Sequence, residues 1–286
     1  PGKSREIERD NNEEHEREHI AIASKSEVAP ISSNHFLIIS NGRSGTHLLM
    51  HLLNNHPEVK AYGELLQTEI LLKPKGIMGN KTAILNYLSK ELCKLKKYCE
   101  QGKKIGFILL NWQISKMASF LTLNDILDHM GNPKIIIQYR VNTLMSYSSL
   151  QINKATGVAN ANIPNRNVSV EITWRNFENY VKRKRIEWGD TLKSITNRTK
   201  TYVSYEELVA KQYTSIGRLF EYIGASEYRG TLATKITKLN PTSLEARISN
   251  YDEVKIDMEE APKKLLQLNL ATEKDVTTIY DDDEIN

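Results

Sequence analysis

Short apolar runs alternate with helical patterns along most of the chain. Four short runs are predicted to form strands, at residues 35–40, 104–110, 134–139 and 200–204. The run at 35–40 is predicted to be buried, and the run at 134–139 is apolar and β-branched enough to be buried on both faces. Elsewhere apolar residues recur at helical spacing, which predicts helices over residues 46–55, 81–98, 123–130, 171–193 and 206–223. Strands that alternate with helices are typical of a parallel sheet with both faces covered. The pattern therefore predicts an α/β fold, with a central and mainly parallel sheet flanked by helices.

The two ends of the chain do not follow this pattern. Residues 1–30 are mostly polar and charged, so they are predicted to form an N-terminal arm with little to bury. Residues 281–286 are predicted to form a solvated acidic tail. Residues 31–280 are predicted to fold as a single domain. No transmembrane segment is predicted, because no apolar stretch approaches the roughly 20 residues that cross a bilayer.

The composition is that of an ordinary soluble globular protein. Hydrophobic residues make up 40% of the chain and charged residues 26%, and the formal net charge is +4. This charge is too small to indicate a nucleic-acid partner. The two cysteines, Cys93 and Cys99, belong to no cluster with the spacing of zinc ligands. A reducing cytoplasmic location and no metal are therefore expected. The alternative is a luminal fragment of a membrane-anchored enzyme.

The strongest local signal lies between the first predicted strand and the helix that follows it. Residues 40–47 read Ser-Asn-Gly-Arg-Ser-Gly-Thr-His. Glycines allow a tight turn and close approach of a ligand to the backbone, and the N-terminus of the following helix favours an anion. Arg43 adds a cation, and Ser44 and Thr46 add hydroxyl donors. The segment therefore predicts a site for phosphate or a similar oxyanion.

This loop differs from the one that binds nucleoside triphosphates. That loop has a lysine directly after its last glycine, whereas Thr46 follows Gly45 here. The strand at residues 134–139 is followed by Arg140 and not by a carboxylate that could hold Mg²⁺. Two arginines suit a ligand whose charge is neutralised by protein groups alone. A P-loop nucleotide kinase or nucleotide hydrolase is the alternative reading.

Five segments, in order along the chain, resemble the PAPS-dependent sulfotransferases, in particular bacterial and cyanobacterial members. PAPS is 3′-phosphoadenosine-5′-phosphosulfate, and PAP is the product left when its sulfuryl group is transferred. The matching segments lie at residues 42–46 with 56–64, 139–149, 203–208, 238–241 and 248–254. The resemblance implies a P-loop-like sulfotransferase fold. It also implies transfer of a sulfuryl group from PAPS to a hydroxyl or amine without a metal.

The same resemblance implies which residues hold the donor. The 5′-phosphosulfate loop matches residues 43–47, which are Arg43, Ser44, Gly45, Thr46 and His47. The 3′-phosphate motif matches Arg140 with either Ser148 or Ser149, and Ser149 is the first choice. Tyr205 matches a tyrosine that contacts adenine, and Lys238 matches less closely a residue that reaches the 3′-phosphate.

The resemblance further implies a catalytic base at Glu64. Gly63 and Glu64 match a pair that supplies the base in bacterial carbohydrate sulfotransferases. The animal small-molecule branch of the family uses a histidine instead. His47 is the next candidate. The acceptor implied is a small natural product, a saccharide or a glycolipid. A third possibility is an inactive member that merely binds a nucleotide or a partner, which predicts loss of Glu64 or Arg140, and both are present.

Overall fold

A five-stranded sheet organises the part of the chain that the computed structural model describes, residues 34–67, 72–94, 102–157, 168–234 and 243–270. Neighbouring strands pair in the order β2-β3-β1-β4-β5, and every pair is parallel. The predicted central parallel sheet is confirmed. The strands are β1 (His35–Ser40), β2 (Val59–Glu64), β3 (Lys104–Leu110), β4 (Lys134–Tyr139) and β5 (Lys200–Ser204).

Helices connect and cover these strands, and most of the predicted ones are found with small shifts at their ends. The helix predicted over residues 81–98 is described as far as Cys93, and residues 95–101 lie outside the described part. The described helices are α1 (Thr46–Leu53), α2 (Lys81–Cys93), α3 (Asn111–Met117), α4 (Leu123–His129), α5 (Thr143–Thr156), α6 (Trp174–Ser194), α7 (Tyr205–Ala210), α8 (Gln212–Ile223), α9 (Tyr251–Glu260) and α10 (Lys263–Leu266).

Two features of this architecture differ from the sequence-based expectation. The single helix predicted over residues 206–223 is two helices, because Lys211 leaves the helical region with φ −133° and ψ 47°.

The strand β2 was not predicted at all. It lies at the edge of the sheet and contains Gly63, and only Val59 and Ala61 of its side chains are buried. An edge strand with so few apolar residues gives a weak pattern.

The sheet is buried on both faces, which fixes its register. In β1, Leu37 and Ile39 join the hydrophobic core on one face, whereas Phe36 and Ile38 join the core on the other. Gly106 pairs with Phe36 in the neighbouring strand, and a Cβ at Gly106 would lie 2.3 Å from the ring of Phe36. Because all strands are parallel, their carboxyl ends meet at one edge, where open α/β sheets bind ligands.

The predicted arm and acidic tail lie outside the described residues, so the domain boundaries stay a prediction. Every described residue belongs to one compact unit. Among the described residues, we find no helix that combines the length and the apolarity needed to cross a bilayer.

Candidate functional site

The loop between β1 and α1 presents the N-terminus of a helix without a side-chain cap. Gly45 is the N-cap residue of α1, with φ 81°, and no side chain accepts a hydrogen bond from the first turn. Arg43 also has a positive φ, of 68°, which is uncommon for a residue with a Cβ. The loop thus leaves backbone N–H groups at the helix N-terminus available to an anion.

Neighbouring strands hold this loop in place. The buried amide of Gln138 in β4 donates from Nε2 to the carbonyl oxygen of Ser44, at 3.0 Å. The hydroxyl of Ser40 donates to the carbonyl oxygen of Gln138, at 2.7 Å. The ring of Tyr205, at the start of α7, packs directly on Gly45. The loop conformation is therefore fixed by the ends of three strands, β1, β4 and β5.

We expect Gly45→Ala to weaken PAP binding by about tenfold or more. The left-handed conformation costs an alanine about 1–2 kcal/mol, and its Cβ would lie 2.5 Å from the Tyr205 ring, so the loop must shift. Calorimetric titration with PAP measures the effect. Gly79→Ala is the matched control, since Gly79 also has a positive φ (89°) but nothing within 4 Å of its Cβ position. Equal PAP affinity in the two variants would contradict a binding role for the loop.

Arg140, which follows β4, is a buried cation with few partners. Its guanidinium carbon lies 4.6 Å from the centre of the Tyr205 ring, in a cation–π contact. Its Nε is buried without a hydrogen-bond partner, and the nearby carboxylate oxygen of Glu206 is 3.8 Å away. Burial lowers the pKa of Arg140, and Tyr205 and Glu206 oppose that shift. An arginine kept in this state is suited to pairing with an incoming anion.

Glu206 is an acidic partner of this arginine, and backbone groups hold its carboxylate in place. Its two oxygens accept hydrogen bonds from the backbone N–H groups of Val141 and Asn142, at 2.9 and 3.1 Å. Asn142 in turn caps α5 by accepting from the N–H of Met145. Glu206 therefore orders the turn that follows Arg140.

The structure distinguishes the two candidate serines on α5. The hydroxyl of Ser149 accepts a hydrogen bond from Nε of Arg43, at 3.0 Å. The hydroxyl of Ser148 donates to the carbonyl oxygen of Met145 in its own helix. Both side chains are buried. The geometry therefore favours Ser149 as the serine of the site, and it joins the loop to α5.

A third arginine, Arg247, reaches this region and was not predicted from the sequence. It is buried, and its Nη1 donates to the carbonyl oxygen of Met145 at 3.2 Å. Burial, reinforced by repulsion from Arg140 and Arg43, lowers the pKa of Arg247 to about 10. Its position directly before the motif at residues 248–254 was the one available signal. Arg43, Arg140 and Arg247, of which Arg247 is the most deeply buried, thus share one neighbourhood.

A small cleft lies between the ends of β1 and β4. It is lined mainly by polar and cationic side chains, among them Asn41, Ser44, Arg140, Ser146, Tyr180 and Lys184. The side-chain oxygen of Asn41 is buried there without a hydrogen-bond partner. Lys184, which the sequence analysis did not single out, pairs with Glu187 at 2.6 Å. The cleft therefore places further polar side chains next to Arg140.

Glu64 lies at the end of β2, on the same edge of the sheet as the loop. The pairing of β2 with β3 is irregular between Tyr62 and Glu64, so the strand bulges at Gly63. The Oε2 atom of Glu64 accepts a hydrogen bond from Nε2 of Gln113, at 2.8 Å. Burial raises the pKa of Glu64, and hydrogen bonds from Gln67 and Gln113 oppose that shift. A half-buried carboxylate with a raised pKa is suited to accept a proton.

His47, in the first turn of α1, is the second candidate base. Burial, followed by repulsion from His51 and Arg43, lowers its pKa. The imidazole is therefore neutral near pH 7 and is able to accept a proton. Lys238, the remaining predicted site residue, lies outside the described residues. No group of three or more His, Cys, Asp or Glu side chains in the described ranges could hold a metal ion.

The chain is similar to several known proteins, although no protein-family profile matches it. It is 27% identical over 228 residues to Nodulation protein H of Rhizobium tropici, a match that covers 77% of this chain and 87% of that protein. A sulfotransferase structure from Alicyclobacillus acidocaldarius is 12% identical with a TM-score of 0.46, and 80% of this chain and 93% of that chain are covered. The sulfotransferase domain from the curacin biosynthetic pathway is 17% identical with a TM-score of 0.42, over 89% and 97% of the two chains.

Both of these solved structures are named as sulfotransferases. The roles of the individual site residues stay predictions.

Proposed function

We propose that this chain is a PAPS-dependent sulfotransferase. It transfers the sulfuryl group of PAPS to a hydroxyl or amine and releases PAP. The observation that carries the proposal is the cluster of largely buried arginines beside an uncapped helix N-terminus. Burial, reinforced by repulsion from Arg140 and Arg43, lowers the pKa of Arg247, and the carboxylate of Glu206, 3.8 Å from Arg140, also accepts from backbone groups.

Such a cluster favours a ligand with several negative charges. Burying like charges close together is costly, and a bound phosphate or sulfate group would reduce that cost. The 3′- and 5′-groups of PAPS supply two anionic centres on one molecule. We assign the 5′-group to residues 43–47 and the 3′-phosphate to Arg140 and Ser149. The hydrogen bond between Arg43 and Ser149 makes these two subsites neighbours.

Tyr205 supports this assignment through its position. Its ring lies between Gly45 of the loop and Arg140, and the side chain is half-buried, so part of it stays open to a ligand. We assign it the contact with adenine that the family resemblance implies. Lys238 is kept as a further candidate for the 3′-phosphate on the resemblance alone.

Glu64 is assigned the role of base. In the transfer, the bond between sulfur and the bridging oxygen of the 5′-phosphate breaks. A bond from the acceptor oxygen or nitrogen to sulfur forms, and the acceptor proton passes to Glu64. Arg43 and the helix N-terminus stabilise the charge that develops on the departing phosphate oxygen. His47, in the same loop, is the alternative base.

The acceptor is proposed by chemical class. A small natural product, a saccharide or a glycolipid is consistent with the bacterial type of the motifs. A cytoplasmic location, no metal and no nucleic-acid partner stay predictions from the sequence.

We expect PAP to bind with a micromolar or lower dissociation constant without Mg²⁺, and much more tightly than ATP. The reason is that the site provides its positive charge from arginines, and the loop lacks the lysine that holds a triphosphate. Calorimetric titration of the full chain with PAP and with ATP, each with and without Mg²⁺, measures this difference. ATP binding that requires Mg²⁺, with no PAP binding, would instead favour the nucleotide kinase.

A further inference from the structure

We propose that Gln113 is a positioning residue that aims the carboxylate of Glu64 and keeps it in the form that accepts a proton. This inference rests on the proposed function, in which Glu64 is the base. Gln113 belongs to none of the motifs that resemble the family. It lies in α3, directly after β3, which is the strand next to β2.

The orientation of the Gln113 amide is fixed by its second hydrogen bond. The side chain is fully buried. Its Oε1 accepts from the backbone N–H of Leu110 at 2.9 Å, in a contact that caps the start of α3. A backbone N–H can only donate, so the oxygen must face Leu110 and the NH₂ group must face Glu64. The short contact between Nε2 of Gln113 and Oε2 of Glu64 therefore has a defined polarity.

This polarity favours the ionised form of Glu64. A donated hydrogen bond stabilises a carboxylate over the neutral acid. Burial raises the pKa of Glu64, and the amides of Gln67 and Gln113 lower it. Among the residues that the structure describes, no charged group contributes to this balance. The two amides therefore oppose the effect of burial, which favours the protonated form of Glu64.

Gln113 also links the base to the sheet. The amide is held by the end of β3, and Glu64 follows a bulge at the end of an edge strand. A carboxylate at the end of an irregular edge strand has freedom to move, and a buried donor restricts it. Catalysis is sensitive to such placement of the accepting atom.

Two substitutions separate this role from simple helix capping. Gln113→Glu keeps an acceptor for the Leu110 N–H, as in an ordinary capping box, but replaces the donor with a like charge facing Glu64. Gln113→Leu removes both contacts. The carboxyl carbon of Glu64 is followed by ¹³C NMR during a pH titration of the PAP-saturated full chain, and Glu64→Gln identifies its signal.

We expect the titration midpoint of Glu64 to move to higher pH in Gln113→Leu and further in Gln113→Glu. With an acceptor chosen from a panel of phenols, amines and saccharides, we expect kcat of Gln113→Leu to fall about tenfold on the acidic side of the Glu64 titration midpoint. On the alkaline side of that midpoint, where the base is ionised, it should recover to within about threefold of the unsubstituted enzyme. PAP affinity should be unchanged, because Gln113 is not assigned to the donor site.

A purely structural role predicts a different result. Gln113→Leu would then lower the melting temperature without moving the titration midpoint of Glu64 or the pH profile of kcat. That result would overturn the inference. Failure of the proposed function gives a separate signature, which is absence of PAP binding in the unsubstituted protein.

Discussion

Glu64→Gln is expected to lower the rate of sulfuryl transfer by about 100-fold or more while PAP affinity stays unchanged. Glutamine has nearly the same shape as glutamate, and its side-chain oxygen can still accept the hydrogen bond from Gln113. The substitution therefore removes the proton-accepting carboxylate and keeps the packing. Single-turnover transfer from PAPS to the best acceptor of a screened panel, followed across pH, measures the loss.

The pH dependence provides a second check on this assignment. Burial raises the pKa of Glu64, so the unsubstituted enzyme should lose activity as the pH falls through that raised value. Glu64→Gln should lack this acidic limb. Both results follow from the raised pKa of Glu64, because the base accepts a proton only in its ionised form.

Glu58→Gln is the matched control. Glu58 precedes the same strand, is partly exposed, and accepts hydrogen bonds from the backbone and side chain of Ser226. Its loss should leave the transfer rate unchanged. Full activity in Glu64→Gln would move the base elsewhere, and His47 would be tested next because burial lowers its pKa and keeps it neutral.

The sequence was sufficient for the parts of the fold that depend on local patterns. Three of the five described strands, β1, β3 and β4, are buried apolar runs, and β1 is followed by a glycine turn and an apolar helix at residues 41–53. These signals are contiguous, so they can be read without knowing the partners of each strand. The loop that carries the site was predicted for the same reason.

The parts that were missed depend on contacts between distant segments. The strand β2 is an edge strand that is completed by pairing with β3. No local feature of the sequence distinguishes Arg247 from a surface arginine. In the folded chain its guanidinium donates a hydrogen bond to the carbonyl oxygen of Met145 in α5. Gln113 is one of seven glutamines in the sequence. Its amide is oriented by hydrogen bonds to Leu110 and Glu64, which are visible only in the structure. No local pattern marks such residues.

The choice between Ser148 and Ser149 shows the same limit on a smaller scale. Consecutive helical residues lie about 100° apart around the axis, so only one of the two can face the loop. The motif made Ser149 the first choice but left Ser148 open. The contact between Ser149 and Arg43, on a different segment, adds a reason that the local pattern lacks.

Arg140→Met is expected to weaken PAP binding by about 10- to 100-fold, because a charge-assisted pair with phosphate is lost. Methionine keeps an unbranched apolar side chain against the Tyr205 ring, which Arg140 now covers at 4.6 Å. The melting temperature of the ligand-free protein should not fall. Removing a buried cation that repels Arg43 and Arg247 relieves electrostatic cost in that state.

Adenosine 5′-monophosphate, which has no 3′-phosphate, makes the test specific. If Arg140 holds the 3′-phosphate, Arg140→Met should weaken PAP binding and leave the affinity for this nucleotide nearly unchanged. Arg198→Met is the control, since Arg198 bonds Asp128 and Asn132 away from the site, and its PAP affinity should match that of the unsubstituted protein. Equal losses for both nucleotides would place Arg140 at the 5′-group. An unchanged PAP affinity in Arg140→Met would instead remove it from the donor site.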